Sequence, residues 1–149
     1  MKQITIEELK SYCPERSSRE HLRWITDHSE PIEYEDGDII AKTGDPAEWM
    51  YILIEGKVDF YLNVNGRLVY YYHFTNDEVT GGVSGLLPYS RMKVSPGNSI
   101  SVGKIRGIKI HKKYFQELER LNPEFIQRLI GYMTERARFL HLHKCSRKK

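Results

Sequence analysis

A glycine-rich segment followed by basic residues has the composition of an anion-binding site. Gly81, Gly82 and Gly85 lie within five residues, with Ser84 between them, and Arg91 follows. Such small residues let backbone N–H groups approach an anion, a helix start there would add its dipole, and a guanidinium pairs well with phosphate. The alternative is a glycine-rich connection without a ligand. The predicted ligand-binding residues are Gly81, Gly82, Val83, Ser84, Gly85, Leu86, Arg91, Met92 and Lys93.

Patterns typical of catalysis or metal binding are weak in the rest of the chain. His141 and His143, with Cys145 nearby, are a candidate metal-binding pair, but residues two apart on a helix point in different directions. A basic tail explains them more simply. The sequence contains no nucleophile elbow, P-loop or Cys-x-x-Cys pair. We therefore expect a protein without enzymatic activity, metal or cofactor.

Short strands must position the glycine-rich segment. Ile39 to Ala41 and Met50 to Ile54 are apolar runs bounded by glycine turns, and Ser99 to Val102 is a later one. Asn65-Gly66 predicts a tight hairpin, with Arg67 to Phe74 as the return strand. An alternating run before this turn predicts one inward apolar face, made by Val58, Phe60, Leu62 and Val64.

Helical patterns flank the strands at both ends of the chain. Thr5 followed by Glu8 is a capping box, and Ser18 begins a second amphipathic segment. Lys112 to Leu121 predicts a helix, and Asn122-Pro123 predicts the start of a longer one. We expect N-terminal helices over residues 1–32, a β-roll over 33–111 and C-terminal helices over 112–145. The last helix carries an apolar stripe of Phe125, Ile126, Leu129, Ile130, Met133, Ala137 and Leu140.

Length and charge limit the classes of protein that fit. A chain of 149 residues suits one domain, here spanning 1–149, and no apolar run reaches the roughly 18 residues of a membrane span. With no apolar leader and only two cysteines, a cytoplasmic location is expected. Residues 101–149 carry 13 basic and 4 acidic residues. The terminal Lys and Arg residues have no interleaved aromatic residues, so nucleic-acid binding is not favoured.

The ordered series Gly37-Asp38-Ile39-Ile40, Gly44-Asp45-Pro46-Ala47 and Met50 to Gly56 resembles the opening of a cyclic-nucleotide-binding domain. The resemblance implies a mainly β fold with helices (α+β), an antiparallel β-roll of the jelly-roll type, and cyclic AMP or cyclic GMP as possible ligand. It assigns the phosphate to Arg91 and the ribose to a glutamate at the position of Gly82 or Gly81. Because glycine offers no carboxylate, we expect weak or absent cyclic AMP binding.

The resemblance also implies a role. Gly85 to Met92 resembles a variant found before bacterial histidine-kinase modules, so a downstream histidine kinase is a possible partner. We expect a non-enzymatic regulatory domain that relays ligand occupancy through its C-terminal helix, and a homodimer formed along that helix. Two alternatives stay open. One is a degenerate roll that acts as an interaction or dimerisation module, and the other is a jelly-roll metal enzyme.

Overall fold

An antiparallel sheet with helices at both ends forms the protein, as the sequence predicts. The computed structural model describes residues 4–9, 18–76, 82–88 and 90–131. Within these ranges six strands pair in the order β1-β6-β3-β4, while β2 pairs with β6 and β5 pairs with β3. The elements are α1 (Ile6–Leu9), α2 (Arg19–Asp27), β1 (Ser29–Tyr34), β2 (Ile39–Ala41), β3 (Trp49–Val64), β4 (Arg67–Phe74), β5 (Val83–Gly85), β6 (Gly97–His111), a 3₁₀ turn (Lys112–Tyr114), α3 (Phe115–Leu121) and a helix over residues 123–131, called α4.

The long strand β3 organises the roll. It is rich in β-branched and aromatic residues, which favour strands. Its Met50–Ile52 part pairs with β5, its later part pairs with β4, and β6 runs along most of its length. Neighbouring residues on a strand point to opposite faces. Met50 and Ile52 therefore enter the core beneath the helices, while Tyr51 faces the interior of the roll.

The predicted hairpin is confirmed, and the predicted strands lie where they were expected. Asn65 and Gly66 have φ angles of 56° and 84°, the left-handed values of a type I′ turn. The runs at Met50 and Ser99 are parts of the longer strands β3 and β6. The alternation is wrong toward the hairpin tip, because the register shifts after Phe60 and Val64 is 46% exposed.

Among the residues that the structure describes, two apolar clusters form the core. The larger cluster lies between the sheet and the helices and includes Leu22, Met50, Leu118 and Phe125. The smaller cluster fills the roll with Leu53, Val58, Phe74 and Ile105, against which Tyr34, Ile40 and Tyr72 pack.

Helix caps agree with the sequence. Glu8 N–H donates to Thr5 Oγ1 and Thr5 N–H donates to Glu8 Oε1, both at 3.2 Å, which is the reciprocal capping box. Ser18 caps α2 through its side chain. Asn122 Oδ1 accepts from Phe125 N–H at 3.2 Å at the start of α4. Two boundaries differ from expectation: β1 begins at residue 29, inside the range predicted to be helical, and the predicted 112–121 helix is divided into a 3₁₀ turn and α3.

The early start of β1 has a simple cause. The backbone N–H of His28 donates to the carbonyls of Trp24 and Ile25, which ends α2. Pro31 lacks an N–H donor and fits β1, an edge strand in the described sheet, better than a helix interior. Among the described residues no helix has the length and apolar composition needed to cross a bilayer.

Candidate functional site

The predicted ligand-binding segment forms part of the sheet. Val83 to Gly85 make up β5 and pair with Met50–Ile52 of β3. Val83 is buried in the core beneath the helices, and Ser84 lines the roll interior. Gly81 lies outside the described residues. Gly82 is buried at a turn with φ 62°, and its carbonyl accepts a bond from Leu53 N–H at 2.7 Å.

The helix start predicted in this segment is wrong for the residues that the structure describes. Residues 82–88 form a turn, a short strand and a second turn. Gly85 has φ 79°, and a Cβ there would lie 2.5 Å from Trp49 O and 2.7 Å from the Tyr51 ring. Leu86 N–H donates to Trp49 O at 2.9 Å. Gly85 is therefore required for close packing on β3, and the Leu86 amide is already bonded to protein.

Arg91 and Lys93 have exposed side chains. Neither side chain forms a hydrogen bond or an ion pair with the described part of the chain. The backbone around them is held against the turn after β2. Ala47 N–H donates to Lys93 O, and Ser95 and Asp45 are joined by a backbone bond, both at 2.9 Å.

A cavity of about 240 Å³ lies between this turn and β5. It is slightly smaller than the roughly 300–1,000 Å³ of common ligand pockets. Three predicted site residues, Gly85, Leu86 and Met92, line it, whereas Gly82, Val83, Ser84, Arg91 and Lys93 do not. The remaining lining residues are Ile40, Ala41, Asp45, Pro46, Ala47, Glu48, Trp49, Tyr51 and Ser95. We call this space the mouth cavity.

A second space lies deeper, inside the roll. Its volume is only about 10 Å³, and its lining is almost entirely apolar, with Tyr51, Leu53, Val58 and Phe74 among the wall residues. That volume is about one water molecule. The roll interior is therefore filled by side chains.

Polar groups in the mouth cavity come mainly from the turn before β3. Asp45 Oδ2 accepts from Lys42 N–H at 3.1 Å, and Glu48 is half-buried. Burial raises the pKa of Tyr51 to about 12, with a smaller contribution from the charges of Tyr34 and Asp45. The Tyr51 hydroxyl is therefore protonated at neutral pH and can donate or accept a hydrogen bond.

Sequence reasoning missed most of this lining. Trp49 packs against its neighbours: the Lys109 ammonium lies 4.2 Å from its ring centroid and His111 meets it edge-on at 4.9 Å. It also lines the cavity. The Asp45–Trp49 stretch indicated the fold, but its placement beside residues 92–95 comes from long-range pairing that no local motif reveals.

The metal hypothesis gains no support from the described residues, which contain no cluster of three or more potential metal ligands. His73 Nδ1 lies 3.0 Å from the Tyr70 hydroxyl, a side-chain hydrogen bond. His141, His143 and Cys145 lie outside the described residues.

Comparison with known sequences identifies the family. The model of the cyclic nucleotide-binding domain matches residues 31–120, more than half of the chain. The cAMP-dependent protein kinase regulatory subunit of Dictyostelium discoideum is 44% identical over 34 residues, which cover 23% of this chain and 10% of that protein.

Solved structures show the same fold at low sequence identity. A cyclic nucleotide-binding domain from Methylobacillus flagellatus is 11% identical with a TM-score of 0.70, over 95% of this chain and 81% of that one. The regulatory subunit of a cAMP-independent protein kinase A from Trypanosoma cruzi, bound to guanosine, is 18% identical with a TM-score of 0.69, over 95% and 50%. The regulatory domain of Toxoplasma gondii protein kinase A, crystallised with cAMP, is 17% identical with a TM-score of 0.67, over 87% and 48%. The chain thus spans about half the length of these two kinase regulatory proteins. By its sequence match over residues 31–120 and its β-roll, the chain belongs to the cyclic nucleotide-binding domain family.

Proposed function

We propose that this chain is a regulatory domain that binds a nucleotide or nucleoside in the mouth cavity and passes its occupancy to a partner or an output domain. The observation that carries the proposal is the cavity itself. It lies where Gly85, Leu86 and Met92 of the predicted site meet the Asp45–Trp49 turn. Aromatic walls from Trp49 and Tyr51, with a few polar groups, are the usual composition of a small-molecule site.

The solved relatives support this class of ligand. The Toxoplasma gondii regulatory domain was crystallised with cAMP, and the Trypanosoma cruzi protein was bound to guanosine. Ligands of both kinds, with and without a phosphate, are therefore candidates for this chain. Arg91 and Lys93, which are exposed beside Met92, are proposed to contact any anionic group at the mouth of the cavity.

Relay of occupancy through the C-terminal helix, to a histidine kinase or another output domain, is also a proposal. The dimer seam predicted along this helix needs revision, because Phe125 and Leu129 are 1% and 2% exposed and pack in the chain's own core. The other predicted seam residues, Met133, Ala137 and Leu140, lie outside the described part. We propose that a homodimer uses these three, and sedimentation of a Met133→Glu/Leu140→Glu variant, expected to be monomeric, tests it.

Calorimetric titration of the full chain with cyclic AMP, cyclic GMP and guanosine tests the ligand site. The Ala47→Phe variant adds an aromatic ring to a lining residue and should abolish binding of any of the three. The Val64→Phe variant is the control, because it adds a ring at the exposed hairpin tip. If Ala47→Phe binds like the wild type, the ligand does not occupy the mouth cavity.

A second function has its own supporting observation. The filled roll interior, with room for about one water, is what a degenerate roll acting as an interaction or dimerisation module would show. Absence of binding by all three compounds at millimolar concentration, with the chain folded, would favour this function over the regulatory one.

A further inference from the structure

The mouth cavity has an unusual charge for a site that is expected to hold a phosphate. Its ionisable lining residues are Asp45, Glu48 and Tyr51, and none of its described lining residues is Lys, Arg or His. Lys109, whose ammonium lies over the Trp49 ring, does not line the cavity and is paired with Glu30 at 3.6 Å. The lining therefore carries two formal negative charges and no positive one.

The two carboxylates have acceptor capacity to spare. The only hydrogen bond to the Asp45 carboxylate from the described residues is that of Lys42 N–H, and the Glu48 carboxylate has no such bond or ion pair there. Ser95 Oγ already donates to Gly97 O at 2.8 Å. An ionised carboxylate offers acceptor sites only, so the cavity presents acceptors and the Tyr51 hydroxyl to a ligand.

The nearby basic side chains, Arg91 and Lys93, do not cancel the negative charge of the cavity lining. Arg91 and Lys93 are exposed and do not line the cavity, and exposed charges are screened by water and salt. Asp45 is also exposed, so the half-buried Glu48 is the less screened of the two lining carboxylates. The backbone N–H groups that would cradle a phosphate are partly consumed, because β5 pairs with β3 and Leu86 N–H bonds Trp49 O.

We propose that Asp45 and Glu48 make the mouth cavity selective for an uncharged purine nucleoside over the cyclic nucleotide of the same base. This inference rests on the proposed function. A guanine base fits best, since its N1–H and N2–H donors lie side by side and one carboxylate can accept both, whereas adenine presents only its N6 amino group as a donor. The purine ring matches the aromatic wall of Trp49 and Tyr51. A cyclic phosphate brings a negative charge toward two carboxylates.

The test compares guanosine with cyclic GMP by calorimetric titration of the full chain, with adenosine and cyclic AMP as the second pair. We expect a dissociation constant for guanosine at least ten-fold lower than that for cyclic GMP. The Asp45→Asn/Glu48→Gln variant keeps the shape of both side chains and should reduce this ratio to about three-fold or less. The Glu20→Gln/Glu124→Gln variant removes the same net charge at exposed helix positions and should keep the wild-type ratio.

Two results would overturn the inference, and they differ in what they say of the proposed function. If the wild type binds cyclic GMP as tightly as guanosine, or if the ratio is unchanged in Asp45→Asn/Glu48→Gln, the ligand site stands and its charge selectivity is wrong. If the folded wild type binds none of the four compounds, the proposed function fails and the inference fails with it.

Discussion

Tyr51 lines two spaces of very different size in the same roll. On the inner side, Leu53, Val58 and Phe74 leave about 10 Å³, enough for one water. On the outer side, the mouth cavity measures about 240 Å³ and is bordered by Asp45 and Glu48. One strand, β3, supplies a wall to both, so the difference comes from what packs against that wall.

The cause of the difference is the kind of segment that covers β3. The inner space is lined by strand residues whose buried apolar side chains pack together, as in any close-packed core. The outer space is bordered by Asp45, Pro46 and Ala47 of the turn after β2 and by Ser95, and backbone bonds join these two segments. Backbone pairing fixes two segments in place without filling the space beneath them. A ligand-sized cavity can therefore persist beside a well-packed core.

The largest effect expected from this contrast is on stability. Phe74 is 2% exposed in the inner cluster, so Phe74→Ala should lower the free energy of unfolding by about 3–5 kcal/mol. Met92 is half-buried at the edge of an existing cavity, so Met92→Ala should lower it by only about 1 kcal/mol. Urea denaturation of both variants measures the two values. Equal losses would show that the mouth cavity is packed as tightly as the interior.

A smaller loss of stability is expected at Gly85, where β5 contacts Trp49 and Tyr51 of β3. Gly85 and Gly44 both have positive φ, 79° and 87°, but a Cβ meets Trp49 O and Tyr51 at Gly85 and nothing within 4 Å at Gly44. Gly44→Ala should lower the free energy of unfolding by about 1–2 kcal/mol through backbone strain alone. Gly85→Ala adds overpacking and should lower it by about 2–4 kcal/mol.

This matched pair of variants separates the cost of backbone strain from the cost of a steric clash, because both substitutions add a methyl group to a residue with positive φ. Thermal or urea unfolding of the two variants gives the difference directly. If Gly85→Ala loses no more stability than Gly44→Ala, the close contact of β5 with Trp49 and Tyr51 is wrong.

The sequence predicts the fold of this molecule better than its site, for physical reasons. Asn65-Gly66 specifies a hairpin because local φ preferences determine the turn. Gly85 could serve an anion or a tight packing contact, and only the pairing of β5 with β3 decides between them. Asp45 and Glu48 line the cavity together with Met92 and Ser95, and backbone bonds join these two segments although they lie far apart in the chain.

The carboxylates near α1 and those at the mouth cavity differ in whether a basic side chain pairs with them. On β6, Arg106 donates to both oxygens of Glu8, at 3.1 and 3.4 Å, and to Glu55 at 3.4 Å. The Arg106 and Glu8 side chains are 11% and 27% exposed. Around the mouth cavity, Asp45 and Glu48 have no such basic partner among the described residues. The paired carboxylate of α1 should therefore contribute to the acid sensitivity of the fold.

The smallest expected effect is the pH dependence that this pair gives to stability. The hydrogen bonds of Arg106, and then of the Thr5 backbone N–H, hold the pKa of Glu8 below its usual value of 4.5. The folded state thus binds fewer protons than the unfolded state, so the contribution is complete above about pH 4.5 and is lost as the pH falls through the lowered pKa. A partly exposed pair of this kind contributes about 1 kcal/mol.

Glu8→Gln removes that contribution, so the wild type should exceed the variant in stability by about 1 kcal/mol at pH 6 and by much less at pH 3. Urea denaturation at several pH values measures the gap. Because Lys104 lowers the pKa of Glu33 in the same direction, the gap between the two proteins, rather than the wild-type curve alone, isolates Glu8. In an Arg106→Gln background, Glu8→Gln should change the stability much less at pH 6, because removing either partner already breaks the pair. A gap that stays constant from pH 6 to pH 3 would show that Glu8 stabilises the fold through its helix cap rather than through Arg106.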